Sequence, residues 1–176
     1  MTELARRTTG RGTIYFTGGS TALLLGIRAQ TIDIDIKVDP EPRGLFEAIA
    51  DLKNELDINI ELAAPDDFIP TPPDWRNLAV PITTIGGLSF AHYDFVMQAL
   101  AKIERGFAKD IDDVTALVRG GFVSVDDIRK RFRDIEPNVL RYPGIDSKSF
   151  SMKVEAFIQS LNLPISENDD KSDPSR

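Results

Sequence analysis

Tyr15 to Lys37 reads YFTGGSTALLLGIRAQTIDIDIK, and the order of its parts decides the fold. A short apolar run, Ile14 to Phe16, ends in Gly18-Gly19-Ser20. A helix-like segment follows over Thr21 to Ile27, and then acid and isoleucine alternate from Ile32 to Lys37. Successive side chains of a strand point to opposite faces, so Asp33 and Asp35 share one face while Ile32, Ile34 and Ile36 share the other. Carboxylates that close repel each other unless a cation lies between them. Oxygen ligands on a rigid strand suit Mg²⁺ (or Mn²⁺), which takes one or two protein carboxylates and lets substrate phosphates complete its shell. Glycine permits a tight turn with positive φ, and a following helix directs free N–H groups and a partial positive charge at an anion. The Gly-Gly-Ser turn therefore reads as a phosphate cradle that precedes a metal-binding acid pair.

Taken singly, these features are ordinary: an Asp-Ile-Asp-Ile alternation suits an edge strand with a solvated face, and Gly-Gly-Ser suits any turn. Their order is specific. Strand, Gly-Gly-Ser, helix and Asp-x-Asp strand together resemble the nucleotidyltransferase superfamily, with Gly18, Gly19 and Ser20 matching its first element and Asp33 and Asp35 its second. That superfamily places a further metal-associated acid on a neighbouring strand. Leu56 to Ala63, LDINIELA, is a second alternating stretch with Asp57, Asn59 and Glu61 on one face. The resemblance assigns the third acid to Glu61, with Asp57 as the alternate, either to complete the metal site or to take the acceptor's proton.

Composition narrows the function classes. The hydrophobic fraction of 41% supports a globular core, and no apolar run approaches the roughly 18 residues of a membrane span. With no cysteine there is neither a disulfide framework nor a thiolate metal site. No secretory leader pattern is seen, so a cytoplasmic location is expected. The net charge of −7, from 28 acids against 21 bases, argues against broad non-specific nucleic-acid binding. Two local basic runs, Arg6, Arg7 and Arg11, and Arg129, Lys130, Arg131 and Arg133, could touch an RNA acceptor or form solvated faces. A single histidine, His92, excludes histidine-pair catalysis and reads as structural. Neither the P-loop nor the Gly-x-Gly-x-x-Gly dinucleotide pattern occurs.

Along the chain, residues 1–12 read as a basic arm or frayed helix and residues 13–91 as a nucleotidyltransferase core. Residues 92–163 read as a helical C-terminal portion and 164–176 as a polar, disordered tail. Helical spacing predicts helices over Arg43 to Glu55, His92 to Phe107, Asp110 to Val118, Ser124 to Phe132 (capped by Ser124) and Asp146 to Leu161 (capped by Ser147). Leu78 to Thr83 and Leu88 to Ala91 predict a hairpin about Gly86-Gly87. The proline-rich stretch Pro65 to Trp75 predicts a connection ordered over the surface by Phe68 and Trp75.

Lys102 and Arg105 lie on one helical face, and Asp110 and Asp113 on one face of the next helix. As plain surface charge these would contribute little. The pattern also resembles the C-terminal motif of the abortive-infection and MenT-type toxin nucleotidyltransferases, and of a related bacterial family of unknown function. That resemblance covers roughly residues 12–120. It implies that Lys102 contacts a triphosphate while Asp110 or Asp113 orients it or assists proton transfer. The expectation is a mixed α/β fold, with a small sheet, flanking helices and a helical C-terminal portion. Its expected reaction is Mg²⁺-dependent transfer of a nucleoside monophosphate from an NTP to an RNA (such as tRNA) or protein hydroxyl, in the manner of the toxin of a toxin–antitoxin pair with an antitoxin partner. The alternative is a catalytically weak or inactive binding module of the same fold within a two-protein system.

Overall fold

The structure, a computed structural model, describes residues 1–161; the tail expected to be disordered lies outside the described residues. Strands β1 (Gly12–Thr17), β2 (Asp33–Val38), β3 (Asn59–Leu62), β4 (Val80–Ile85) and β5 (Leu88–His92) form one sheet in the order β3-β2-β1-β5-β4. The sheet is mixed. β1 runs antiparallel to β2 and parallel to β5, β2 runs parallel to β3, and β4 and β5 form the expected hairpin. The chain thus has the mixed α/β fold expected from its sequence.

Strand alternation sends the apolar side chains of the sheet to two separate cores. On one face, Ile14, Ile36, Leu88 and Phe90 pack against Leu4 of helix α1 (Thr2–Arg7) and Leu45, Ala48, Ile49 and Leu52 of helix α3 (Leu45–Leu56). On the other, Tyr15, Ala91 and Tyr93 join the buried faces of α4 (Phe95–Arg105), α5 (Ala108–Arg119), α6 (Val125–Ile135) and α7 (Ser147–Leu161). Burying each such aliphatic or aromatic side chain contributes roughly 1.5–3 kcal/mol, so the two cores dominate the fold's stability. Helix α2 (Gly18–Leu24) joins β1 to the loop that leads into β2.

Several local expectations are corrected. The N-terminal segment is a helix, as one of the two readings had it, but a docked one: α1 packs on α3 through Leu4, and Arg7 donates to both carboxylate oxygens of Glu55. Helix α2 begins at Gly18, inside the turn itself. β3 begins only at Asn59, because Leu56 ends α3 and Asp57 caps it with φ 50°. Of the two anchors expected for the proline-rich connection, Trp75 is buried, stacked on Tyr93 at 4.9 Å and edge-on to Tyr15, whereas Phe68 stays exposed. Ser124 caps α6 as expected, accepting from the Asp127 N–H. At α7 the cap is Asp146, which accepts from the Ser149 N–H, and not Ser147. Among the described residues no helix is long and apolar enough to cross a membrane.

Candidate active site

The parallel register of β2 and β3 sets Asp33 opposite Asn59 and Asp35 opposite Glu61. Ile34, Ile36 and Ile60 belong to the α1–α3 core, so these four polar residues project from the opposite face of the sheet. Asn59 ties the face together: its Nδ2 donates to Asp33 Oδ1 at 2.8 Å and to Glu61 Oε1 at 2.6 Å. Burial raises the Asp35 carboxyl above its ordinary value, and the charges of Asp33 and Glu61 push it further. A backbone hydrogen bond from Gly19 and the charge of Arg105 oppose them without reversing the shift.

The glycine turn is shaped around this cluster. Gly18 has φ +57°, and a Cβ there would collide with Asp35 Oδ2. At Gly19 a Cβ would collide with Thr31 Oγ1 and come within 3.3 Å of Arg28 Nη1. The Ser20 hydroxyl does not face outward as a phosphate ligand would. It is buried, with the Thr17 carbonyl at 2.7 Å and the Asp35 carbonyl at 3.0 Å, so it pins α2 to β2.

Across from the acids stands a wall of paired charge. Arg28, in the loop after α2, donates through Nε and Nη2 to both oxygens of Asp113 at 2.7 and 2.5 Å. Lys102 Nζ sits 2.5 Å from Asp113 Oδ2 and 3.5 Å from Asp110 Oδ1, and Arg105 donates to both oxygens of Asp110. Burial pushes the Asp110 carboxyl up, but the Arg105 hydrogen bond and the charges of Lys102 and Arg105 outweigh it and hold the group below its usual range. Lys102 is buried, with only 7% of its side chain exposed, whereas Arg105 is 56% exposed.

Acid face and charged wall enclose a cleft of about 630 Å³. Gly18, Gly19, Asp33, Asp35 and Glu61 line one side of it, and Lys102, Arg105 and Asp110 the other. Of the residues singled out in the sequence, Ser20 and Asp113 lie behind this surface, and Asp57 lies outside it, at the left-handed cap of α3. Of the two candidates for a third acid, only Glu61 lines the cleft. His92 is structural: it is buried, with Nδ1 3.2 Å from Thr21 Oγ1. The two basic runs are largely committed to ion pairs, with Arg6 on Glu3, Arg7 on Glu55, Lys130 on Asp134 and Arg131 on Asp94.

The donor chemistry on the acid face fits a hard divalent cation. Among the described residues, however, no group of three or more His, Cys, Asp or Glu side chains converges closely enough to hold a metal ion unaided. The Asn59 amide bridges Asp33 and Glu61 and engages one oxygen of each. Asp33 and Asp35 are the carboxylates that could hold such a cation, with ligands from outside the chain completing its shell.

Sequence reasoning overlooked Arg28 and Gln98. Arg28 lies between the glycine turn and the acid strand, and that position was its only signal. Gln98 lines the cleft, donates from Nε2 to the Tyr93 carbonyl at 2.8 Å and leaves Oε1 without a partner among the described residues. No family model, no curated protein and no solved structure matches the chain.

Proposed function

We propose that the chain is a metal-dependent nucleotidyltransferase, moving a nucleoside monophosphate from an NTP to an acceptor hydroxyl on RNA or protein. The observation that carries the reading is that the cleft sets Asp33, Asp35 and Glu61 against Lys102, Arg105 and Arg28, cations that Asp110 and Asp113 hold and only partly offset. A triphosphate with its cation is a ligand complementary to both walls at once. Bound at Asp33 and Asp35, Mg²⁺ or Mn²⁺ would supply charge neutralisation at the phosphate oxygens.

In the proposed reaction the acceptor oxygen bonds to the α-phosphorus, the bond to the bridging oxygen breaks, and pyrophosphate leaves. Glu61, whose second oxygen is not tied to Asn59, takes the acceptor's proton. The cations of the opposite wall stabilise charge that develops on the departing phosphates. The resemblance to toxin nucleotidyltransferases supports a role as the toxin of a toxin–antitoxin pair.

A second reading, a nucleotide-binding module with little turnover, is favoured by one detail. Asn59 ties Asp33 to Glu61, and among the described residues no three acids converge on one metal position.

Incubation with each α-labelled NTP and Mg²⁺, with total RNA and lysate as acceptors, tests the proposal. Label is expected in RNA or protein with the wild type and not with Asp33→Asn. Equal labelling by both overturns the site. Magnesium-dependent NTP binding without label favours the binding module.

A further inference from the structure

Four cations line the cleft: Lys109 is exposed in the first turn of α5, and the other three are held differently. Lys102 is enclosed by Asp113 and Asp110, and Arg105 is mostly exposed and paired with Asp110. Arg28 is 15% exposed and gripped on one edge only: Nε and Nη2 engage both oxygens of Asp113, a bidentate fork that sets the plane of the guanidinium. Its remaining nitrogen, Nη1, has no partner among the described residues and lies beside Gly19, where an added Cβ would come within 3.3 Å of it. The bare backbone of Gly19 and the outward nitrogen of Arg28 thus face the same corner of the cleft.

We propose that Arg28, presented by Asp113, grips the terminal phosphates of the nucleoside triphosphate, and that Lys102 is the buried counter-charge that keeps Asp113 in place. This rests on the nucleotide reading above. It shifts the main phosphate contact from Lys102, as the family resemblance implied, to an arginine outside that motif. The physical reason is pre-organisation: a guanidinium already clamped on one edge loses little freedom when its other edge binds an anion. A lysine shared between two buried carboxylates would have to abandon both to reach a ligand.

Calorimetric titration of the whole chain with inorganic tripolyphosphate and with each NTP, in Mg²⁺, tests this on the wild type, Arg28→Gln, Arg28→Lys and Arg105→Gln. A melt by circular dichroism accompanies each variant. Arg28→Gln is expected to weaken tripolyphosphate binding by about tenfold to a hundredfold. Arg28→Lys should recover only part of the loss, and Arg105→Gln should lose less than Arg28→Gln. Binding by the wild type should also depend more steeply on salt than binding by Arg28→Gln. If the glutamine variant does not fold, the charge-preserving Arg28→Lys decides alone, since it keeps a cation beside Asp113. Wild-type binding that Arg28 variants leave intact, or that Arg105→Gln weakens as much, overturns the role of Arg28 and leaves the nucleotide reading standing. Absence of binding by the wild type to tripolyphosphate and every NTP overturns both.

Discussion

At Gly18 the backbone takes φ +57°, in the left-handed region, and the space a side chain would fill is occupied by the Asp35 carboxylate. Alanine there must both adopt a disfavoured conformation, at a cost of about 1–2 kcal/mol, and displace a carboxylate of the proposed metal site. Gly18→Ala should lower the urea midpoint and abolish magnesium-dependent NTP stabilisation in a thermal shift. Gly26 offers the control, with φ +73° but nothing within 4 Å of its added Cβ, so Gly26→Ala should cost stability and leave binding intact. His92 gives a second prediction at this scale. Thr21 donates its hydroxyl hydrogen to the Phe16 carbonyl at 2.9 Å, so it is His92 Nδ1–H that donates to Thr21. Burial lowers the His92 pKa from its ordinary 6.5. The unfolded chain therefore takes up a proton near that pH that the folded chain refuses. The stability contributed is present above it and is lost as pH falls from 6.5 toward the depressed folded value. Urea midpoints at pH 7.5 and 5.5 should differ more for the wild type than for His92→Gln.

Helices α4 and α5 are joined by the ion network as well as by apolar packing. Lys102 on α4 meets Asp110 and Asp113 on α5, and each aspartate has a second, arginine partner. Removing one partner of a buried ion pair costs roughly 3–5 kcal/mol when the remaining charge is stranded. Here Arg28 and Arg105 stay behind, so Lys102→Met should cost less, about 2 kcal/mol in a urea melt. A loss at or above the stranded-charge range would show that the arginines do not compensate. The periodicity of α4 and α5 already set Lys102 beside Arg105 and Asp110 beside Asp113, and so exposed the pairing faces. It could not expose Arg28, whose partner Asp113 lies 85 residues away, because only the tertiary fold brings that loop to α5. Element ends were missed for local reasons: Asp57 reads as part of an alternating strand but takes a left-handed cap, and Asp146 outcompetes Ser147 for the start of α7.

Across the whole molecule, the sheet separates two apolar cores and reserves one strip, the outer face of β2 and β3, for polar groups. That strip was legible from period-two alternation alone, since Ile34 and Ile36 required burial and thereby fixed where Asp33 and Asp35 point. The detail it could not carry is the amide of Asn59, which read as one more polar residue on the face and in fact links the carboxylates. Burial, and after it the nearby charges of Asp33 and Glu61, raise the Asp35 pKa, in a chain whose net charge is already −7. Such concentrated like charge opposes folding and is retained where a ligand relieves it. Without divalent cation, Asp35→Asn should melt above the wild type, because the amide removes the repulsion and keeps the shape. With Mg²⁺ and a bound NTP the order should reverse: the wild type gains stability as ligand concentration rises past Kd, by about 2.7 kcal/mol at a hundredfold excess, and the variant gains none. Differential scanning fluorimetry with and without cation reads both halves. A variant that melts below the wild type in the absence of metal would mean that the Gly19 and Arg105 contacts, and not repulsion, dominate at Asp35.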